Sequence, residues 1–368
     1  MLIDFPTSEN ILLNIQKCNA EEESDFLILC GEDTGLDFSV LIELLNKHGI
    51  RYCGGVFPSV IQGNKSFSDK VLLLPVQFDS DPILIHGLAD GDIDIPSLNP
   101  LSSSNSVFIL VDGLSNWISK FVYCLYKEIG SEHQVFGSGT GYGNFERLNC
   151  IFCKEGFFKD VGLVVFFKNR ITQATRHGWK TIAGPYIATK TNANLLEQIN
   201  WEPAYKIYKE IIEQEEKVEL TADNYYEYAK HYPFGVYRAN GENLIRDPVA
   251  LEENQSIRFG AEIPSNSVLY LMKSEIEEML LAGQNVCQDV ISRCTNPKFL
   301  FIADCISRTW ILEDKFADEL DNIASKAKEK DIPVFGVFSM GEISSANEAL
   351  LDYHHKTIVI SILEDNEK

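Results

Sequence analysis

The residue types best suited to chemistry occur in two short segments near the end of the chain. Asp304-Cys305-Ile306-Ser307-Arg308 follows one apolar run, and Ser339-Met340-Gly341-Glu342-Ile343 follows another that contains Gly336. If the two runs are neighbouring strands, both segments emerge at one sheet edge. Arg308 would then offer a planar donor fork to a carboxylate or phosphate. Glu342 would accept from an ammonium group or pair with Arg308, so a purely structural ion pair is the competing interpretation.

A glycine-rich segment, Gly137-Ser138-Gly139-Thr140-Gly141-Tyr142-Gly143, is the second candidate. Glycines let the backbone approach a ligand and present N–H groups to an anion. The spacing is not that of a dinucleotide fingerprint, and residues 147–152 predict a strand where that fingerprint needs a helix. A ligand loop and a tight turn at a sheet edge therefore both stay open. The predicted ligand-binding residues are Arg308, Glu342, Cys305, Ser339, Gly341, Gly137, Ser138, Gly139 and Gly55.

Other motifs predict neither a metal site, nor a cofactor, nor a catalytic set. Cys150 and Cys153 form a lone C-x-x-C without a second pair at zinc spacing. The acidic run that begins at Asp90 lacks the glycine and glutamate of a calcium loop. His354 and His355 are adjacent and cannot both face one metal from a strand. Enzyme activity is the less favoured reading, and its one concrete form is Cys305 acting as a thiol nucleophile.

Composition limits the expected partners and compartment. The chain has 368 residues and a net charge of −22, with 54 acidic and 32 basic residues, so its surface repels nucleic acid and anionic membranes. Nine scattered cysteines suit a reducing cytosol better than a disulfide framework. No signal-peptide pattern and no apolar stretch of about 20 residues is present, and we expect a cytoplasmic protein.

The same succession of predicted elements occurs three times along the chain: an apolar strand, a helix, a strand that ends in glycine, and a returning strand. The copies begin near Asp25, Val107 and Phe299, and their second strands run to Gly55, Gly139 and Gly336. This pattern predicts an α+β fold in which pseudo-symmetric repeats form mixed or antiparallel facing sheets with helices on the outer faces. Of such layouts we favour two facing sheets, and a single large mixed sheet is the alternative.

A long insertion separates the second and third copies. Lys180–Lys190 and Leu195–Ile199 predict a hairpin, and Glu202-Pro203 opens a helix with proline in its first turn. Asn240-Gly241 predicts a turn between two short strands. Ser274-Glu275-Ile276-Glu277 has the pattern of a capping box at the start of a long helix.

In these motifs the chain resembles the FIST family, whose paired N-terminal and C-terminal domains are regarded as intracellular sensory modules. The resemblance runs from about residue 25 to the C-terminus. It is carried by short motifs in the family's order: Gly54-Gly55, Val135–Gly139, Gly156, Gly178-Trp179, Ala188-Thr189, Asn194, Glu202-Pro203-Ala204, Cys305-x-x-Arg308, Glu313, Pro333–Gly336, Gly341-Glu342-Ile343 and Tyr353–Thr357.

The chain also departs from the family's common pattern. The first loop reads Gly54-Gly55-Val56-Phe57-Pro58-Ser59-Val60-Ile61, which resembles a variant branch, and His355 stands where asparagine is common. By this resemblance, residues 1–24 are a helical lead, 25–200 the FIST N-terminal domain, 201–363 the FIST C-terminal domain and 364–368 an acidic tail.

The resemblance implies a stand-alone sensory protein. It would bind a small polar metabolite, possibly an amino acid, between its two domains and signal to a protein on another chain. No cofactor is expected. The alternatives are the thiol enzyme and a ligand-free interaction scaffold.

Overall fold

The computed structural model describes residues 1–21, 23–98, 105–239, 242–346 and 351–365. The predicted turn at Asn240-Gly241 and residues 366–368 of the predicted tail lie outside these ranges. The helices are α1 (Ser8–Glu21), α2 (Phe38–Lys47), α3 (Ile118–Ile129), α4 (Ala204–Glu216), α5 (Tyr225–Ala229), α6 (Ile276–Arg293), α7 (Ile306–Leu312) and α8 (Phe316–Lys328), with a 3-10 turn at Glu313–Lys315.

The strands fall into two groups along the chain. Those before the insertion are β1 (Leu2–Ile3), β2 (Asp25–Gly31), β3 (Tyr52–Phe57), β4 (Val60–Gln62), β5 (Lys65–Phe67), β6 (Val71–Val76), β7 (Ile83–Ile85), β8 (Ser106–Asp112), β9 (Gln134–Thr140), β10 (Ile151–Cys153), β11 (Gly156–Phe158), β12 (Gly162–Phe167) and β13 (Arg170–Arg176). The remainder are β14 (Lys180–Asn192), β15 (Leu195–Ile199), β16 (Glu202–Pro203), β17 (Phe234–Val236), β18 (Leu244–Arg246), β19 (Pro248–Leu251), β20 (Ile257–Phe259), β21 (Val268–Lys273), β22 (Pro297–Cys305), β23 (Val334–Ser339), β24 (Glu342–Ser344), β25 (Asp352–His354) and β26 (Ile358–Glu364).

The three predicted repeats share one topology. In repeat one, β2 pairs in parallel with β3 across helix α2, and β6 returns antiparallel to β2. In repeat two, β8 pairs in parallel with β9 and antiparallel with β12. In repeat three, β22 pairs in parallel with β23 and antiparallel with β26. A parallel pair needs a crossover helix, and a direct return gives an antiparallel pair, so each sheet is mixed. The α+β prediction with pseudo-symmetric repeats is confirmed.

One glycine in each repeat occupies the same register position on the second strand. An added Cβ there would lie 2.1, 2.0 or 2.4 Å from a carbonyl oxygen of the first strand. Only glycine lets the two parallel strands come this close. The three register pairs are Ile28 with Gly54, Ile109 with Gly137, and Ile302 with Gly336.

The repeats exchange hairpins with one another. The hairpin β4–β5 leaves repeat one and pairs with β23 of repeat three, and β10–β11 leaves repeat two and pairs with β3 of repeat one. The hairpin β24–β25 leaves repeat three and pairs with β9 of repeat two. The result is three six-stranded sheets linked in a cycle, with a further sheet in the insertion, rather than the two facing sheets that we favoured. The sequence did not reveal the exchange because short apolar hairpins carry no signal of which edge they join.

Aromatic side chains fill the space where the sheets meet, and helices cover the outer faces. Phe108 and Phe136 of repeat two lie 6.1 and 6.3 Å, centroid to centroid, from Phe301 of repeat three. They belong to a core that includes residues of all three repeats. Helices α6 and α8 enclose a second core with strands of repeat three, and α3 a third with strands of repeat two. We call the three repeats together the pseudo-symmetric body.

The insertion forms a fourth sheet with helices α4 and α5 and its own core. The predicted hairpin is present as β14 paired with β15, and α4 begins directly after Glu202-Pro203. The predicted capping box does not form. Helix α6 begins at Ile276 without a side-chain cap, and the Ser274 hydroxyl donates instead to the carbonyl oxygens of Gly178 and Glu275. No helix among the described residues has the length and apolar character needed to cross a bilayer.

Replacing the equivalent glycines tests the repeat architecture. We expect Gly137→Ala to lower the free energy of unfolding by about 3 kcal/mol, the upper part of the range for overpacking, because the new methyl group meets backbone rather than a movable side chain. In the control Gly35→Ala the added Cβ has open space around it. The loss of unfolding free energy then comes only from the φ of +64° and should be about 1–2 kcal/mol. Urea unfolding measures both. Equal losses would contradict the close strand approach.

Candidate functional site

A cavity of about 690 Å³ lies where the pseudo-symmetric body meets the inserted sheet. Repeat two contributes residues 113–116, directly after β8, and repeat three contributes 305–307, at the end of β22, and 340–341, directly after β23. The inserted sheet and α5 supply the opposite wall, which includes Asn194 and Tyr226. We call this space the junction cavity. The segments that follow β22 and β23 therefore meet at one sheet edge, as the sequence predicted, and the loop after β8 joins them there.

Hydrogen bonds fix the loop that follows β8. The Asp112 carboxylate accepts from the backbone N–H of Leu114 at 3.1 Å and from that of Asp160 at 2.7 Å. The Ser115 hydroxyl donates to Asp160 at 3.1 Å. Gly113 lies against Met340, whose Cβ would be 2.3 Å from an added Cβ. The wall contributed by repeat two is thus held rigidly against repeat three.

The backbone conformation and the close packing at position 341 require glycine. Its φ is +102°, and an added Cβ would lie 2.3 Å from the Tyr353 hydroxyl oxygen. The chain at this point also bonds to β9, with the Gly139 N–H donating to the Gly341 carbonyl at 2.7 Å. The same turn leads into Glu342 and the exchanged hairpin. Gly341 therefore has two roles: it shapes the cavity wall, and it allows the chain to turn into the exchanged hairpin.

Two polar residues of the cavity wall keep unsatisfied atoms. Asp247 bonds to the buried Lys356 ammonium through Oδ2 at 3.1 Å, and its Oδ1 has no hydrogen-bond partner among the described residues. In the same part of the chain, His355 Nδ1 has none either. Burial raises the pKa of Asp247 against the opposing effect of Lys356, and burial lowers the pKa of His355 well below its usual range. His355 is therefore neutral at pH 7.

Aromatic rings form much of the remaining wall. Phe145 and Trp310 meet edge to face with centroids 5.5 Å apart, joining repeat two to α7. Phe145 holds a φ of +61°, an uncommon backbone conformation for a bulky residue. Tyr226 and Phe259 line the side of the inserted sheet. A cavity with aromatic walls and few polar groups is typical of small-molecule sites.

Cys305 and Gly341 are the two predicted site residues that line the cavity. The Cys305 sulfur lies 3.1 Å from the Ser307 hydroxyl. Burial, with the Glu342 carboxyl nearby, raises the pKa of the Cys305 thiol to about 12. The thiol is therefore protonated at neutral pH, which argues against an activated nucleophile.

Arg308 lies away from the cavity, and its expected pair with Glu342 is not formed. Its guanidinium is fully buried, with Nε 3.1 Å from Asp304 and a second ion pair to Glu319 on α8. It also donates to the carbonyl oxygens of His177 and Met279 at 3.0 and 3.2 Å. Because Arg308 follows Asp304 by four residues, at the start of α7, its side chain turns toward α8 and α6 rather than toward the strand ends.

Glu342 and Ser339 are also buried outside the cavity wall. The Ser339 hydroxyl donates to Glu342 Oε1 at 2.5 Å. Burial raises the pKa of Glu342 well above its usual range. The pKa of Asp304 is likewise raised by burial, then by Glu319. Three carboxyl groups and one guanidinium thus share a buried cluster, which we call the Arg308 cluster.

The remaining predicted residues lie inside sheets. Gly137, Ser138 and Gly139 belong to β9, paired on both sides, and Gly55 belongs to β3. An added Cβ at Gly139 would lie 2.3 Å from the Met340 carbonyl oxygen. None of the four lines the cavity in the described part of the chain. Close strand contact accounts for these glycines, and they form neither the ligand loop nor the tight turn at a sheet edge that the sequence left open.

Sequence reasoning missed Asp247, Arg258, Tyr226 and Trp310, and it assigned His355 to packing. These residues come from separate segments of the insertion, from α7 and from the turn before β26. The one available signal was polar residues beside apolar strands, as in Arg246-Asp247-Pro248. Among the described residues, no group of three or more His, Cys, Asp or Glu side chains is placed to hold a metal.

Comparisons with known proteins identify the family of the chain. The FIST N domain model matches residues 25–202, and the FIST C domain model matches residues 204–345. A search of curated proteins found no match. The junction cavity is lined from both matched regions, with His355 lying beyond the second.

The Arg308 cluster predicts a large stability effect. Arg308→Met leaves the carboxyls of Asp304 and Glu319 buried without a cation and should cost about 3–5 kcal/mol of unfolding free energy in urea at pH 7. Adding Glu319→Leu should recover much of that loss. Arg176→Met, which removes an exposed pair 3.5 Å from Glu242, is the control and should cost under about 1 kcal/mol. A similar cost for both single variants would contradict the buried pairing.

Glu342→Gln should change how stability depends on pH. The pKa of Glu342 in the folded protein lies well above the ordinary glutamate pKa of 4.5, so the folded protein holds a proton that the unfolded chain releases near pH 4.5. The resulting stability is fully present below that pH and is lost as pH rises toward the folded pKa. Glutamine carries no such proton, so the unfolding free energy of the variant minus that of the wild type should increase from pH 4.5 to pH 8. Glu329→Gln on the surface is the matched control, and a difference that stays constant would contradict the assignment.

Proposed function

We propose that this protein, which belongs to the FIST family of sensory domains, binds a small polar metabolite in the junction cavity and signals to a protein on another chain. An amino acid is among the candidate ligands. The observation that carries the proposal is the cavity itself, lined from both family domains. Its volume of about 690 Å³ lies within the range of small-molecule sites, roughly 300–1,000 Å³.

The position of the cavity suggests how binding becomes a signal. One wall belongs to the pseudo-symmetric body and the other to the inserted sheet, and the Asp247–Lys356 pair joins the two. Lys356 also donates to the Lys230 carbonyl at the end of α5, at 3.0 Å. A ligand that contacts both walls favours the arrangement in which they fit it best. A partner protein that contacts the inserted sheet would detect that change.

Cytoplasmic location is part of the same proposal. All nine cysteines lie within the described residues and none of them forms a disulfide, and six of them are buried. Free buried thiols are typical of a reducing compartment. The net charge of −22 also makes nucleic acid and anionic membranes poor partners, and it favours a protein or small molecule.

The two alternatives have weaker support. A thiol enzyme needs an ionised Cys305, whereas burial raises the pKa of that thiol to about 12. A ligand-free scaffold gives no role to a cavity with unsatisfied polar atoms in its wall. Ligand binding without catalysis does not need an ionised Cys305, and it gives a role to the cavity and its unsatisfied polar atoms. It is the function that we favour.

A metabolite screen by thermal unfolding tests the proposal. A ligand at a hundredfold excess over its Kd should stabilise the wild type by about 2.7 kcal/mol. Val249→Trp, at a partly exposed cavity position, should reduce this shift because the indole occupies ligand space. Val40→Trp, on the exposed face of α2, is the matched control and should keep the shift. If no amino acid, organic acid, amine or nucleotide stabilises the wild type, the proposal fails.

A further inference from the structure

We infer that the ligand of the junction cavity carries a primary ammonium group on an aromatic or aliphatic body, and that Asp247 and His355 accept its hydrogen bonds. The inference rests on the proposed function, because it concerns the same cavity. It goes further by naming the chemical class of the ligand and the residues that bind its charged end.

Two polar residues of the cavity wall carry atoms that no described residue satisfies. Asp247 is 8% exposed and His355 is 7% exposed, and both line the cavity. Asp247 Oδ1 and His355 Nδ1 have no hydrogen-bond partner among the described residues. A buried polar atom left unpaired costs free energy, so a ligand that donates to both atoms would be stabilised by satisfying them.

Gly260 lies against both residues. Its N–H donates to the Asp247 carbonyl oxygen at 3.0 Å. On its other side, an added Cβ would lie 2.7 Å from His355 Cε1 and 3.2 Å from His355 Nδ1. The absence of a side chain at Gly260 therefore lets the imidazole approach the strand that holds Asp247. One donor group with several protons can serve both residues.

The protonation of His355 agrees with an accepting role. Burial, then Arg246 and Lys356, lowers its pKa well below the usual range, so the ring is neutral at pH 7. A neutral ring that carries its proton on Nε2 accepts at Nδ1. An ammonium group offers three donors and no acceptor, which matches a carboxylate oxygen beside an imidazole nitrogen.

The cations around the cavity are already paired, which disfavours an anionic ligand. Among the described lining residues, Arg258 is the one with a permanent positive charge. Its Nε donates to Glu252 at 2.6 Å, and one terminal nitrogen donates to Asn194 at 3.4 Å. Lys356, behind the wall, pairs with Asp247 Oδ2. The two buried lining atoms without a hydrogen-bond partner in the described part of the chain, Asp247 Oδ1 and His355 Nδ1, therefore call for a donor.

The rest of the wall suits the body of such a ligand. Trp310, Phe145 and Tyr226 supply aromatic side chains to the cavity wall. Aromatic faces attract an ammonium group within about 6 Å and bury an apolar body by ordinary contact. The volume accommodates a ligand larger than a free ammonium ion, so the body contributes to affinity.

Matched compounds test the inference on the wild-type protein. Benzylamine, phenethylamine, tryptamine and hexylamine are each compared by calorimetry at pH 7 with the alcohol and the carboxylic acid of the same body. We expect at least one amine to bind about tenfold or more tighter than its alcohol, and its acid to bind weakest. If no amine exceeds its alcohol tenfold, the inference is overturned. A screen ligand that is an acid without an ammonium group would overturn it and leave the proposed function standing, whereas an empty screen removes both.

Variants assign the contact to its residues. Asp247→Asn should weaken amine binding about tenfold to a hundredfold and leave alcohol binding unchanged, since the charge-assisted bond is lost. Asp352→Asn removes another buried carboxylate, one that pairs with Arg238 and does not line the cavity, and should leave amine binding unchanged. Equal effects of the two variants on amine binding would overturn the assignment. If Asp247→Asn does not fold, His355→Leu removes the imidazole acceptor instead and should weaken amine binding about tenfold, because leucine has no hydrogen-bonding atom; unchanged amine binding in that variant would overturn the assignment.

Discussion

Unpaired sheet edges are the constraint on which this structure depends. Each repeat supplies only three strands of its sheet, which leaves an open edge on either side. The hairpins β4–β5, β10–β11 and β24–β25 leave their own repeats and cover an edge of a neighbour. Backbone groups at such edges need partners, so no repeat can complete its sheet alone. The three repeats must fold as one body, and the two family domains share sheets instead of forming separate units.

The same exchange decides which buried charges belong to the fold and which face the cavity. Where β23 ends, Gly341 turns the chain toward β9, and Glu342 becomes part of the exchanged hairpin. The Arg308 cluster on the far side of β22 pairs its guanidinium internally with Asp304 and Glu319. The cluster also keeps atoms without hydrogen-bond partners among the described residues, including Asp304 Oδ1 and Oδ2 and Glu342 Oε2, but none of its residues lines the junction cavity. Asp247 and His355 differ in that their unpartnered atoms belong to residues of the cavity wall, where a ligand would lie.

The candidate site shows how far residue types alone can lead. Cys305 and Gly341 do reach the cavity, because the sequence places them at strand ends that topology brings together. Arg308, in the same segment as Cys305, turns away because one helical turn separates it from the strand end. Asp247 and His355 lie in separate segments, and neither segment by itself indicates that the other is near. In the folded chain Gly260 lies against both residues.

The sequence by itself determined the α+β class, the three repeats, their glycine-ended strands and the membership of the FIST family. Apolar periodicity and the close strand approach at Gly54, Gly137 and Gly336 are local properties, so local sequence encodes them. Only the tertiary structure decided the number of sheets, the exchange of hairpins, the partner of Arg308 and the composition of the cavity. Each of these depends on which edges and side chains meet across long stretches of chain, and a residue's own neighbours do not specify such contacts.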